Sequence, residues 1–345
     1  MLHVSKDIST EKVRELWGKT EAGAWRTGNI LHWLEHPAVQ KRNNRLVSGF
    51  SDIHRFQYFA ERFFSKKGAD RALTLGCGHG ELERGFAGFF KRHDAVDLAE
   101  GAIEQATKQA RDLGLKRIHY SVADLNAIRL PRCTYDVVFG ISSIHHVSNL
   151  EHLFTEVSLA LKPGGYFFLD EFVGPNKFQW TDAQLAAINE QLGMLPPDLK
   201  ISLYDGTPKA SVRRLKIEEM DAVDPSEAVR SEDILKLLPL YFDILEVKGI
   251  GGTILHMLLE GIAGNFAEND ASAVSYLEAI FQTEDQLISN GSLQHDFAVI
   301  IARRKPTRVE RILGRQVAYF VSKSRSRLWV KSRGSGYFSV KPTIR

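Results

Sequence analysis

The sequence predicts an α/β fold in which a mostly parallel sheet is covered by helices on both faces and carries helical cap insertions. Two observations support this prediction: short apolar or β-branched runs alternate with amphipathic helical patterns, and glycine-containing turns separate them. Strands joined through helices form right-handed βαβ units, which bury a parallel sheet on both sides. Seven runs are predicted as strands: residues 71–75, 95–97, 117–122, 135–140, 165–170, 242–248 and 296–302.

Helix signals lie between these runs. After the fourth strand, Ser148-Asn-Leu-Glu151 has the pattern of a capping box, and apolar residues then recur at helical spacing up to Leu161. The Lys162-Pro-Gly-Gly165 segment is predicted to end that helix and turn into the fifth strand.

The chain is longer than the sheet requires. About seventy residues separate the fifth and sixth strands, whereas loops in α/β units usually have about 2–6. A helix signal at Thr181 lies inside that insertion. The predicted units are an N-terminal helical cap (1–50), a cofactor-binding core (51–171), a substrate-cap insertion (172–241), the last two strands with a helical insertion (242–303) and a basic amphipathic tail (304–345).

Composition is that of a folded, soluble chain. Of 345 residues, 43% are hydrophobic and 25% charged, which excludes disordered and collagenous classes. Cys77 and Cys133 are too few for a disulfide framework and have no CxxC spacing. The first residues lack a signal-peptide core, and no apolar run reaches the ~18 residues of a membrane span. We therefore expect a cytoplasmic location.

Charge is distributed unevenly. The net charge is +3, yet residues 303–345 contain 13 basic residues and one acid, Glu310, so the body is acidic. Apolar residues of the tail follow a helical rhythm from Val309 to Val321, which predicts peripheral contact with an anionic membrane surface at the inner face of the membrane. The alternative is a helix that packs on the enzyme body with its charges in solvent. A nucleic-acid partner is disfavoured because the body is acidic and no base-flipping Asn/Asp-Pro-Pro-Tyr motif follows the fourth strand.

A glycine loop follows the first strand. Its sequence is Gly76-Cys-Gly78-His-Gly80, a helix pattern follows it, and Asp97 ends the next strand. Glycines permit close approach of a ligand to the backbone, and a carboxylate there can accept ribose hydroxyls. A nucleotide-like cofactor explains this coincidence better than an ordinary tight turn.

Glu81 occupies the last position of the dinucleotide fingerprint GxGxxG, where a glycine is required, and this disfavours an oxidoreductase. The loop, together with Ala95-Val-Asp97-Leu, Ala123-Asp124-Leu-Asn, Tyr135-Asp-Val-Val-Phe-Gly140 and Leu161-Lys-Pro-Gly-Gly165, resembles the class I S-adenosylmethionine-dependent methyltransferases. The resemblance implies a Rossmann-like, seven-stranded sheet and S-adenosyl-L-methionine as cofactor. A looser similarity to bacterial small-molecule and glycan-cluster enzymes rests on segments such as Gly251-Gly-Thr-Ile-Leu-His256.

The resemblance also implies roles for individual residues. The glycines would line the aminoacyl end of the cofactor, Asp97 would hold the ribose and Asp124 would meet adenine between two leucines, although Asp124 could instead cap a helix. Thr74 replaces an acid common in the family, which leaves the binding of the cofactor's amino group unassigned. The predicted cofactor-binding residues are Gly76, Cys77, Gly78, Gly80, Asp97, Leu98, Asp124, Leu125 and Gly140.

Candidate bases lie after the fourth and fifth strands. His145, His146 and Glu171 are the predicted catalytic residues, because an oxygen or nitrogen acceptor must lose a proton. The histidines could instead pack, and Glu171 could be a structural ion-pair partner. No metal site is predicted, since the other histidines and the cysteines form no ligand grouping.

The sequence thus predicts a methyltransferase acting on a small-molecule or glycan acceptor beneath the cap. Phe178, Trp180 and Tyr204 could line that acceptor or form the cap's own core, and His256 could be a core residue. The alternatives are a nucleotide-cofactor oxidoreductase and a non-catalytic scaffold of the same fold.

Overall fold

A computed structural model describes residues 12–13, 30–63 and 69–306. Within these residues seven strands form one sheet in the order β3-β2-β1-β4-β5-β7-β6. The strands are β1 (Ala69–Leu75), β2 (Phe90–Asp97), β3 (Ile118–Val122), β4 (Tyr135–Ile141), β5 (Leu161–Phe172), β6 (Phe242–Gly251) and β7 (Phe297–Arg304). Each of the seven predicted runs falls on one of them.

The neighbours β1 to β5 pair in parallel, and β7 runs antiparallel to both β5 and β6. The predicted α/β class and its mostly parallel sheet are therefore confirmed. The carboxyl ends of parallel strands lie at the same edge of a sheet. In this sheet the strand order reverses between β1 and β4, and a ligand crevice is expected at the carboxyl ends of these two strands.

Helices lie between the strands and in the insertions. They are α1 (Pro37–Ser48), α2 (Arg55–Phe63), α3 (Glu81–Gly85), α4 (Glu100–Asp112), α5 (Leu150–Ala160), α6 (Asp182–Met194), α7 (Ile217–Val223), α8 (Ser231–Tyr241), α9 (Leu255–Leu259) and α10 (Ala271–Ser289). Short 3-10 turns are present at Trp33–Glu35, Ile144–His146, Asn176–Phe178, Pro197–Lys200 and Ala263–Asn265.

Two hydrophobic clusters cover the sheet. One contains Phe139 and Phe168 of the sheet together with Ile188 of the 172–241 insertion. The other contains Val138 and Phe167, the sequence neighbours of the first pair. Successive side chains of a strand point to opposite faces, so the near-continuous apolar runs supply both clusters. Because the insertion shares a core with the sheet, it is packed on the sheet and not loosely attached to it.

The capping-box prediction for α5 is wrong. Asn149 is the N-cap and makes no side-chain capping bond, while the Ser148 hydroxyl donates to the side-chain oxygen of Asn126. Glu151 forms an ion pair with Arg230 of the insertion. Stronger partners from distant segments thus replace the local capping bonds. At Thr181 the local signal holds, because its hydroxyl accepts the N–H of Gln184 at 3.2 Å.

The turn predicted at Lys162-Pro-Gly-Gly165 is present as a bulge inside β5, because Leu161 pairs with Tyr135 and Tyr166 pairs with Val137, and Gly164 has φ +79°. Helix α5 ends at Ala160, and β5 begins directly at Leu161 and passes through these residues. A register irregularity between Tyr135 and Val137 of the neighbouring strand accommodates the segment.

No helix of the described residues is both long and apolar enough to cross a bilayer. The predicted amphipathic helix of the tail and its membrane contact fall in residues 307–345, outside the described residues. The division into separate units stays a prediction.

Candidate functional site

A cleft of about 1940 Å³ opens at the carboxyl ends of β1, β2 and β4. Tyr204 and Ser226 of the insertion also line it, so the cap and the sheet edge share one space. Seven of the nine predicted cofactor-binding residues line this cleft: Gly76, Cys77, Gly78, Asp97, Leu98, Asp124 and Leu125.

The glycine loop has a backbone that favours glycine. Gly76 has φ +66°, and a Cβ there would lie 2.4 Å from the Cβ of Ser143, so its role is close packing against the loop after β4. Gly78 has φ +49°, and a Cβ there would meet nothing within 4 Å. Any side chain at Gly78 would therefore extend into open space beside the cleft, where a cofactor backbone contact needs room.

Gly80 and Gly140 are outside the cleft lining. A Cβ on Gly80 would lie 2.3 Å from the Tyr120 hydroxyl, and one on Gly140 would lie 2.6 Å from Cγ1 of Ile144. The structure thus explains both glycines by packing, and it offers no contact that would make either a direct cofactor ligand.

The carboxylate of Asp97 organises the loop. Its Oδ2 accepts the N–H of Gly78 at 2.8 Å, and its Oδ1 accepts the N–H of Ala99 at 2.9 Å. Each carboxylate oxygen can accept more than one hydrogen bond, so a ribose hydroxyl can still be bound there.

Replacing Asp97 with alanine is expected to weaken S-adenosylmethionine binding by about 1.5–3 kcal/mol, the range for a lost hydrogen bond to a charged group. Titration calorimetry measures the loss, with Asp112→Ala as an exposed control on α4 that pairs with Lys108 and lies outside the cleft lining. Equal affinities in the two variants would argue against the ribose contact.

Asp124 makes local capping bonds and also faces the cleft in which adenine is predicted to bind. Its Oδ1 accepts the backbone N–H of Asn126 at 2.8 Å and the side-chain amide at 3.2 Å, an Asx-type turn. The residue also lines the cleft, as do the apolar side chains of Leu98 and Leu125. Adenine recognition by Asp124 therefore stays a prediction that the geometry permits.

The predicted catalytic residues form a buried cluster. Nδ1 of His145 lies 2.7 Å from Oε2 of Glu171, whose Oε1 accepts the N–H groups of Ser143 and Ile144 at 2.7 and 2.8 Å. Glu171 is fully buried and His145 nearly so. Burial lowers the pKa of His145, but hydrogen bonds with Glu171 and Glu227 outweigh it and raise the pKa to about 10. His145 is thus an imidazolium held by carboxylates.

His146 is the one predicted catalytic side chain in the cleft lining. Its Nδ1 lies 2.9 Å from Oγ of Ser226, and the Ser226 hydroxyl donates to Oδ1 of Asp224 at 2.7 Å. Since the serine proton goes to Asp224, the serine oxygen accepts Nδ1–H of His146, and Nε2 is the basic nitrogen. Burial and the charge of His145 lower the pKa of His146, which keeps the ring neutral.

Sequence reasoning missed the contribution of the cap to this cluster. Oε1 of Glu227 lies 3.4 Å from Nε2 of His145, and its Oε2 lies 3.8 Å from Nε2 of His146. The adjacent Ala228 has φ +46°, and the N–H of Val229 donates to the carbonyl of His145 at 3.1 Å. No motif marks Glu227, Ser226 or Asp224, and only the fold of the insertion brings them to the histidines. A left-handed non-glycine residue at such a place is typical of functional sites.

The aromatic residues of the insertion were predicted either to line the acceptor site or to form the core of the cap, and the structure shows both positions. Trp180 is buried and stacks on Phe178 with ring centroids 5.0 Å apart, so both belong to the core of the cap. His256 stacks on Trp33 at 5.6 Å and is a packing residue. Of Phe178, Trp180 and Tyr204, Tyr204 lines the cleft, where it can contact an acceptor.

One trio of the described residues, His145, His146 and Glu227, has ligand atoms within 4.8 Å of one another, close enough to share a metal ion. However, hydrogen bonds with Glu171 and Glu227 raise the pKa of His145, so a metal ion would have to displace a proton from this ring. We therefore expect that dialysis against a chelator leaves turnover unchanged, as measured before and after removal of divalent ions. Loss of activity that Zn²⁺ or Mn²⁺ restores would contradict this expectation.

Comparison with known proteins gives the following matches. Residues 73–169 match a family described as a methyltransferase domain. The 27-O-demethylrifamycin SV methyltransferase of Amycolatopsis mediterranei (strain S699) is 28% identical over 112 residues, which are 31% of this chain and 40% of that protein. The S-adenosyl-L-methionine-dependent Diels-Alderase iccD of Talaromyces variabilis is 26% identical over 210 residues, 60% of this chain and 70% of that protein.

Among solved structures, the geranyl diphosphate C-methyltransferase from Streptomyces coelicolor A3(2) superposes with a TM-score of 0.51. It is 13% identical, and the match covers 88% of this chain and 100% of that chain, so the two share a fold. The match to the rifamycin relative, in contrast, spans less than half of that protein's length.

Proposed function

We propose that this chain, which belongs to the class I S-adenosylmethionine-dependent methyltransferases, transfers the methyl group of its cofactor to a small-molecule acceptor, glycans included, in the cleft beneath the cap. One observation carries the proposal: a single cleft joins the glycine loop and Asp97 to His146 and the cap. The residues predicted to bind the cofactor and a candidate base thus line the same cleft.

The cleft fits S-adenosyl-L-methionine. The open side of Gly78 leaves room for the aminoacyl end, Asp97 is placed for the ribose, and Leu98 and Leu125 form apolar walls near Asp124. When bound, the cofactor supplies a methyl group already activated by a sulfonium. The remaining task of the protein is to position the acceptor and to take its proton.

We assign proton removal to Nε2 of His146. Ser226 holds the tautomer that leaves this nitrogen basic, and neutral His146 can accept a proton from a hydroxyl or amine. The carboxylate of Glu227, 3.8 Å from Nε2, stabilises the imidazolium that forms. Glu171 acts as a positioning residue, because it holds His145 and the backbone of the 144–146 turn.

The pH profile follows from these states. The pKa of His146 is lowered, so the base form is present at neutral pH and is lost only as the pH falls through that depressed pKa. We expect kcat/KM to stay level from pH 8 down past the ordinary histidine value of about 6.5 and to decline below it. A decline centred above pH 7 would argue against His146 as the base.

The proposal is tested in two steps. Mass spectrometry of purified protein should find retained S-adenosylmethionine or S-adenosylhomocysteine, and cofactor labelled in its methyl group should label an acceptor in pools of hydroxylated small molecules, amines and glycans. Cofactor binding without transfer to any pool would favour a scaffold of the same fold. Absence of cofactor binding would refute the assignment.

A further inference from the structure

A buried acid lies beside the glycine loop. Glu83, on α3, has no exposed surface and is among the residues that line the cleft. Neither of its carboxylate oxygens forms a hydrogen bond of ordinary length and angle within the part of the chain that the structure describes, although the Thr74 hydroxyl lies close enough to favour the ionised form. A buried carboxylate without a partner is costly, so such a group in a ligand cleft points to a partner that arrives with the ligand.

The surroundings of Glu83 are short of cations. Arg84, the next residue in the chain, directs its guanidinium to the carbonyl of His79. No ion pair joins Glu83 to any lysine or arginine among the described residues. The charges of Glu83 and Asp97 add to burial in raising the pKa of the Cys77 thiol, so the wall of the cleft at this point attracts positive charge.

Thr74, on β1, is a polar neighbour of this acid. Its hydroxyl favours the ionised form of Glu83, while Oγ1 lies 2.9 Å from Nε2 of the buried His93.

We propose that Glu83 binds the α-ammonium group of S-adenosylmethionine. This inference rests on the proposed function. An ammonium offers three donors and a full charge, which match two unpartnered carboxylate oxygens. If Asp97 holds the ribose, the methionyl end of the cofactor would lie beside the Gly76–Gly80 loop, and the helix that follows this loop carries Glu83. Shielding from bulk water strengthens the attraction.

The test separates the amino group from the rest of the ligand. Calorimetry compares S-adenosylhomocysteine with 5′-methylthioadenosine, which keeps the nucleoside and lacks the amino acid, and with deaminated S-adenosylhomocysteine. We expect Glu83→Gln to weaken S-adenosylhomocysteine about 10- to 100-fold, as for a lost hydrogen bond between charged groups. Binding of the two analogues should change less than about twofold, because neither carries the ammonium.

Glu104→Gln is the matched control, since Glu104 is an exposed acid on α4 and lies outside the cleft lining. It should leave all three affinities unchanged. Equal weakening of all three ligands by Glu83→Gln, or no weakening of any, would overturn the inference and leave the proposed function standing. If wild-type protein binds none of the ligands, the proposed function itself fails.

A second measurement uses unmodified protein and does not depend on folding of the variant. Burial raises the pKa of Glu83 to about 7, against the opposing effects of Thr74 and Arg84. Pairing with an ammonium lowers it again, so binding at pH 7 should release a fraction of a proton. Cys77, Asp97 and Tyr120 also face this group, and the deaminated analogue controls for their response.

Calorimetry in two buffers of different ionisation enthalpy should therefore detect proton release with S-adenosylhomocysteine and not with its deaminated analogue. Equal release with both ligands would contradict the pairing of Glu83 with the ammonium.

Discussion

Alanine at position 146 is expected to lower turnover by about 10²- to 10⁴-fold, the usual contribution of a general base. The affinity for S-adenosylhomocysteine should change little, because His146 lines the cleft where its Nδ1 meets Ser226 of the cap, whereas the predicted cofactor contacts lie at the glycine loop and Asp97. Steady-state kinetics and calorimetry on the same preparation separate the two effects.

His152→Ala is the matched control for His146. His152, on α5, bonds the carbonyl of Ile128 and does not line the cleft. Its replacement should leave turnover near that of the wild type. Wild-type turnover in the His146 variant would remove this residue as the base. Glu227→Gln should give a smaller loss of turnover, because Glu227 stabilises the imidazolium without accepting the substrate proton.

Valine at position 78 is expected to abolish cofactor binding. A Cβ there meets no protein atom within 4 Å, so the two methyl groups of valine would fill cleft space and not collide with the fold. The positive φ of Gly78 adds strain of about 1–2 kcal/mol, which is too small to unfold most domains. Calorimetry with S-adenosylhomocysteine measures the effect.

Gly114→Val controls for that backbone strain. Gly114 has φ +69°, is equally open to its surroundings and lies between α4 and β3, outside the cleft lining. Both variants should melt at similar temperatures, and only Gly78→Val should lose the ligand. Retained affinity in Gly78→Val would mean that the cofactor does not approach the loop at this glycine.

Turn chemistry at the edges of elements was the least predictable part of the fold. The capping residues expected at Ser148 and Glu151 are used instead by Asn126 and Arg230, which lie 22 and 79 residues away in the chain. A polar side chain bonds whichever partner the fold presents, and local spacing cannot identify a distant one.

The sequence by itself determined the strands, the mostly parallel sheet and the cofactor loop. Apolar runs that are buried on both faces have the same pattern in any environment, and Asp97 bonds the N–H of Gly78, 19 residues away, and that of Ala99, two residues away. Tertiary structure alone decided the rest of the site. Glu227 and Ser226 reach the histidines only because the insertion folds back toward the turn after β4. The pKa of Glu83 is raised because packing buries its carboxylate away from water. The free energy of a polar group depends on what surrounds it, and those surroundings come from segments far apart in the chain.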